Sequence, residues 1–87
     1  MYLAIGFGNY VNVDSIQSVR PYDSQKLIDE IRARSNDEIS QITMVHDCSK
    51  GKKKASVIIC TNGVYYVSAK TVKTLVAQLN RLENEEE

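Results

Sequence analysis

Residues 55–68 read "ASVIICTNGVYYVS", and they decide the fold class. Two runs of β-branched and aromatic residues flank Asn62-Gly63. That dipeptide is a strong hairpin signal, because a type I′ turn takes φ > 0 at both central residues. A two-residue loop sets Thr61 opposite Val64, Cys60 opposite Tyr65, Ile59 opposite Tyr66 and Ile58 opposite Val67. One face then carries Val57, Ile59, Val64 and Tyr66; the other carries Ile58, Cys60, Tyr65 and Val67. Both faces are apolar, so both need cover.

The cover lies on either side of the hairpin in sequence. "SAKTVKTLVAQLNRL" predicts a helix with Val72, Leu75, Val76, Leu79 and Leu82 in one stripe. "DSQKLIDEIRARSND" predicts another, with Asp23 or Ser24 as N-cap, Leu27, Ile28 and Ile31 as its stripe, and a Glu30–Arg34 pair. Asn36-Asp37 stops that helix. Two short helices either cover both faces or share one and leave the other to a neighbouring subunit. With the open edges of a small sheet, this predicts a homo-oligomer.

Upstream, "MYLAI" reads as a strand, Gly6 to Asn9 as a bend, and "YVNVDSIQSVRPY" as strand interrupted near Asp14-Ser15 and closed at Pro21. "EISQITMVHDC" alternates, with Ile42, Met44 and His46 on one face. The expected fold is α+β: a small, mostly antiparallel sheet with two helices in the order β-β-β-α-β-β-β-α. At 87 residues there is one domain, residues 1–82, followed by a disordered acidic tail at 83–87. No signal segment or membrane-length apolar run is present. Two cysteines give no disulfide scaffold, so a cytoplasmic protein with reduced thiols is expected.

Net charge is zero, yet four of the eleven acids sit in the tail. Eleven basic residues against seven acids elsewhere leave the body at +4. The basic charge concentrates in "KGKKK", residues 50–54. Such a turn either solubilises a neighbouring strand or holds a polyanion. Lys50, Lys52, Lys53 and Lys54 repel one another without a counter-charge, which a nucleic-acid backbone supplies. Lysines act as point charges and read little base sequence. Lys70 and Lys73 open the second helix, where the macrodipole disfavours cations. They suit a shared basic surface or a solvated helix face.

Enzymatic chemistry finds little support. Gly6-Phe7-Gly8 lacks the third glycine and following helix of a nucleotide fingerprint. His46, Asp47 and Cys48 with Cys60 lack the paired spacings of a metal site, and nothing positions a Cys–His nucleophile pair. His46 reads as a half-buried strand residue and Cys60 as a core packer. No enzyme activity, cofactor, metal or small-molecule substrate is predicted.

"IGFGN-YV…SIQSVRP", followed by "GKKKASVII…GVYYVSA…TV" over residues 51–72, resembles the RemA-like family, small bacterial regulators of extracellular-matrix (biofilm) genes. The resemblance runs from about Leu3 to Leu82. It implies a DNA-binding transcriptional regulator that assembles into closed rings and holds double-stranded DNA by basic residues repeated around the ring. Lys52 and Lys53 would contact phosphates, with Lys50, Lys54 and Arg20 assisting. Gly6, Phe7 and Gly8 would lie at a subunit contact, and the protein would be nucleoid-associated. Lys52 and Lys53 stand where the family has two arginines, keeping the charge and losing the bidentate fork. Ser15 stands at or beside another family arginine. These departures bear on affinity and target choice. The alternative is an oligomeric interaction protein of the same fold that does not bind DNA.

Overall fold

A computed structural model describes residues 1–35 and 44–85. The chain runs β1 (Tyr2–Gly6), β2 (Asn9–Asn12), a 3-10 turn (Val13–Ser15), β3 (Ile16–Pro21), α1 (Ser24–Ser35), β4 (Met44–Asp47), β5 (Ser56–Cys60), β6 (Val64–Ser68) and α2 (Val72–Glu85). The order is the expected one. Asn36-Asp37 and the start of the strand expected over residues 38–48 lie outside the described residues.

Strands β3, β5, β6 and β4 form one sheet in that spatial order, and β1 pairs with β2 in a separate ribbon. All pairs are antiparallel except β4 with β6. Strand β6 is therefore paired on both sides, and the β3–α1–β4 segment is a crossover between the two edges of the sheet.

The central hairpin forms, but in a different register from the one its Asn-Gly dipeptide predicts. Ile59 faces Tyr65, Ile58 faces Tyr66 and Val57 faces Val67. The loop has three residues: Gly63 N–H donates to Cys60 O at 3.1 Å, and among residues 61–63 only Gly63, at φ +83°, is left-handed. This is a type I turn followed by a left-handed glycine. Asn62 keeps a negative φ because its side chain has another use, accepting from Val64 N–H at 3.1 Å. One residue of slip exchanges the β6 side chains between faces. Ile58, Cys60, Val64 and Tyr66 share one face; Val57, Ile59, Tyr65 and Val67 share the other.

Each face is covered by the chain itself. Leu27 and Ile31 of α1, with Tyr22, pack on the Tyr65 face. Leu3, Ile5 and Val11 of the ribbon join Leu75, Leu79 and Leu82 of α2 on the Ile58 face. Val76 and Ile28 belong to their predicted stripes by spacing alone, since both are exposed. Of the two alternatives, the chain takes the one in which both faces are covered from within, the ribbon joining the helices. His46 is exposed on edge strand β4 rather than half-buried, and stacks on Tyr66 at 5.3 Å between ring centroids. Cys60 is a core residue as expected, and Cys48 joins it; both are free thiols, raised above the ordinary range by burial.

Both helices are capped by short side chains. Asp23 Oδ1 accepts Lys26 N–H at 3.1 Å, and Thr71 Oγ1 accepts Thr74 N–H at 3.2 Å. Helix α2 runs through Glu85, into the segment expected to be tail, because no glycine or proline follows Leu82 to stop it. No helix among the described residues is long and apolar enough to cross a membrane.

The hairpin geometry sets an outcome for substitution. Gly63→Ala forces a Cβ into left-handed backbone and should lower unfolding free energy by about 1–2 kcal/mol, read from chemical denaturation. Leu75→Ala, at a fully buried contact between α2 and the sheet, should lower it by about 2–5 kcal/mol.

Candidate nucleic-acid interface

The connection from β4 to β5 has to pass over the end of β6, which lies between them. Two inter-strand spacings amount to about 10 Å, more than a tight two-residue turn spans. The lysine-rich segment is this bridge. Its two feet are stitched to the strand beneath: Cys48 N–H donates to Val67 O and Ala55 N–H to Ser68 O, each at 2.8 Å. Cys48 and Ser49 are buried, while Lys50 to Lys53 form the exposed tip.

The tip is a tight turn, with Lys52 N–H donating to Ser49 O at 3.0 Å. Its central residues, Lys50 at φ +49° and Gly51 at φ +78°, are both left-handed, as in a type I′ turn. Asp47 organises the approach. Its Oδ1 accepts Ser49 N–H at 2.9 Å and Ser49 O–H at 2.6 Å, and Oδ2 lies 3.6 Å from Lys54 Nζ. The Ser49 hydrogen bonds, with Lys54 as a weaker influence, hold the Asp47 carboxyl below its ordinary range.

Three other segments reach the same end of the sheet. The β3–α1 junction is tied there by Tyr22 N–H donating to Ala55 O at 3.1 Å. An open groove of about 660 Å³ runs between it and the turn, lined by Tyr22, Asp23, Ser24 and residues Gly51 to Lys54. The start of α2 is tied by Ser56 Oγ donating to Lys70 O at 2.7 Å. The ribbon is tied by Ser68 Oγ donating to Ile5 O at 2.7 Å and Lys70 Nζ donating to Ala4 O at 3.1 Å. Lys70 thus works as a structural staple, which explains a cation at an unfavourable helix start.

These ties bring the β1–β2 turn to the lysine turn. Phe7 at φ +53° and Gly8 at φ +78° are the central residues of a two-residue loop closed by the Gly6–Asn9 pair, so the type I′ hairpin of this fold is here. Lys50 Nζ stands 5.6 Å from the Phe7 ring centroid, within cation–π reach. Phe7 and Lys50 are the only left-handed non-glycine residues among those described, and they face each other. Sequence reasoning marked both segments without placing them together.

The expected site residues therefore divide. Lys50, Lys52 and Lys53 project from the tip and form no ion pair among the described residues. Lys54 is drawn back to Asp47. Arg20 is ion-paired with Glu30 of α1, whose carboxylate also accepts the Tyr65 hydroxyl at 3.5 Å. That pairing raises the Arg20 pKa against the opposing effect of burial. Its guanidinium is committed to bracing α1 on the sheet.

The site and the fold define a small α+β protein that presents a hydrogen-bonded cationic turn at one end of its sheet. The model of the RemA-like family, described as extracellular matrix regulatory protein A-like, matches residues 2–79, and the chain belongs to that family. A search of curated proteins found no match.

Two measurements check this geometry. Ser49→Ala should raise the Asp47 pKa toward the ordinary aspartate range, followed by NMR of the carboxyl carbon. The sign follows from a depressed carboxyl: the ordered turn holds above the Asp47 pKa and loosens as pH falls through it, so the variant should loosen at higher pH. Glu30→Gln should lower unfolding free energy by about 1.5 kcal/mol, the lower end for hydrogen bonds to charged groups.

Proposed function

We propose that this protein is a DNA-binding transcriptional regulator of the extracellular-matrix regulator type, acting by binding rather than catalysis. The observation that carries the reading is the turn tip. Lys50, Lys52 and Lys53 are exposed and unpaired among the described residues, on backbone held by the buried Cys48 and Ser49. Leaving cations free on a rigid turn suits capture of a phosphate backbone, with release of condensed counterions as the driving force. Lys52 and Lys53 make the principal phosphate contacts and Lys50 assists. Lys54 and Arg20 act mainly through the structure, because their charges are engaged by Asp47 and Glu30.

One such turn is a weak DNA site. Repetition around a homo-oligomeric ring raises the effective concentration of cations along one duplex. The family supplies the expectation of a ring, and the β1–β2 ribbon offers the surface: Tyr2 and Tyr10 are 63% and 64% exposed on its outward side. We assign the subunit contact to that side, with Gly6 and Gly8 at its margin. Recognition then rests on charge and DNA shape more than on base edges, in keeping with a nucleoid-associated protein of the bacterial cytoplasm.

The reading in which the turn serves a protein partner draws on the Asp47–Lys54 pair and on Asp23 in the groove, which offset part of the charge. Fluorescence anisotropy of a labelled duplex over a salt series separates the two. The expected result is binding that weakens steeply with salt and is lost in Lys52→Glu/Lys53→Glu while the oligomer sizes unchanged. A folded wild type that binds no duplex at low salt overturns the proposal.

A further inference from the structure

Phe7 is the least explained residue in the fold. It sits at the first central position of a type I′ turn, where asparagine and glycine are the favoured residues. A bulky side chain in left-handed backbone is strained by about 1–2 kcal/mol. Burial does not compensate, since Phe7 remains 43% exposed and belongs to neither core cluster. The turn has its own support instead, with Asn9 Nδ2 donating to Gly6 O at 3.1 Å. Backbone strain maintained at an exposed tip points to use rather than to packing.

Its position narrows that use. The ring lies against Lys50, itself left-handed, so two strained turns meet at one point and place an apolar wedge beside a row of cations. A nucleic-acid groove offers both surfaces at once, phosphates along its edges and apolar sugar and base atoms along its wall. From this juxtaposition we propose that Phe7 is itself a DNA-contacting residue. Its ring packs on the wall of a DNA groove while Lys50, Lys52 and Lys53 hold the flanking phosphates. The inference rests on the DNA-binding reading and reassigns Phe7 from the subunit contact expected from the family resemblance.

Phe7→Asn tests it cleanly, because Asn-Gly suits a type I′ turn better than Phe-Gly, so the hairpin is kept. The expected result is an unchanged or higher Tm and an unchanged oligomer. Duplex affinity should fall about fivefold, as for losing burial of the exposed part of one Phe ring. The salt slope should stay the same, because no ion contact is removed, whereas Lys50→Ala should flatten it. Unchanged affinity overturns the proposal. So does a loss of affinity with a flattened slope, which would make Phe7 only a support for Lys50, and so does dissociation of the oligomer. Failure of the parent reading looks different, since wild type would then bind no duplex at any salt, and the proposal would fall with it.

Discussion

Strand β6 is hydrogen-bonded on both sides, and the chain has to cross its end to travel from β4 to β5. That topological constraint generates the site. A tight turn cannot make the crossing, so a longer bridge stands over the sheet end with its feet bonded to Val67 and Ser68. Burial of Cys48 and Ser49 fixes the base of the bridge, and Asp47 fixes its approach. The lysines are left at the tip because everything below them is committed to the sheet.

The same sheet end gathers its neighbours through two buried serines. Ser56 takes hold of the backbone at Lys70 and Ser68 takes hold of the backbone at Ile5. Both are fully buried and both hydroxyls are satisfied, which is the condition under which a polar group in a core specifies geometry. Through them the ribbon is set so that Phe7 meets Lys50. The packing thereby gathers two left-handed turns, exposed cations and an aromatic ring on one surface.

Much of the fold was legible in the sequence because it is written in local patterns. The helices, the two-sided apolar hairpin, the break at Asp14-Ser15 and the order of elements all follow from periodicity and turn chemistry. The hairpin register was not. Asn62-Gly63 satisfies two turn types, and the choice went to the one in which Asn62 caps Val64 N–H. The type I′ hairpin turn hides behind Phe7, a residue no turn rule selects. Long-range pairing was equally out of reach: no local pattern announces that the fold brings Arg20 of β3 to Glu30 of α1. The candidate lysines were legible as a cluster, but which of them stay free depended on where Asp47 fell.

On the proposed reading, one surface, built from the turn at Ser49–Lys53 and the turn at Gly6–Gly8, receives nucleic acid. Titrating the isotopically labelled protein with a short unlabelled duplex and following amide chemical shifts tests it most directly. Perturbations should concentrate on those two turns together, with the β4 edge and the solvent face of α2 little changed. Perturbations confined to one of those other surfaces, or none at all at low salt, would contradict it.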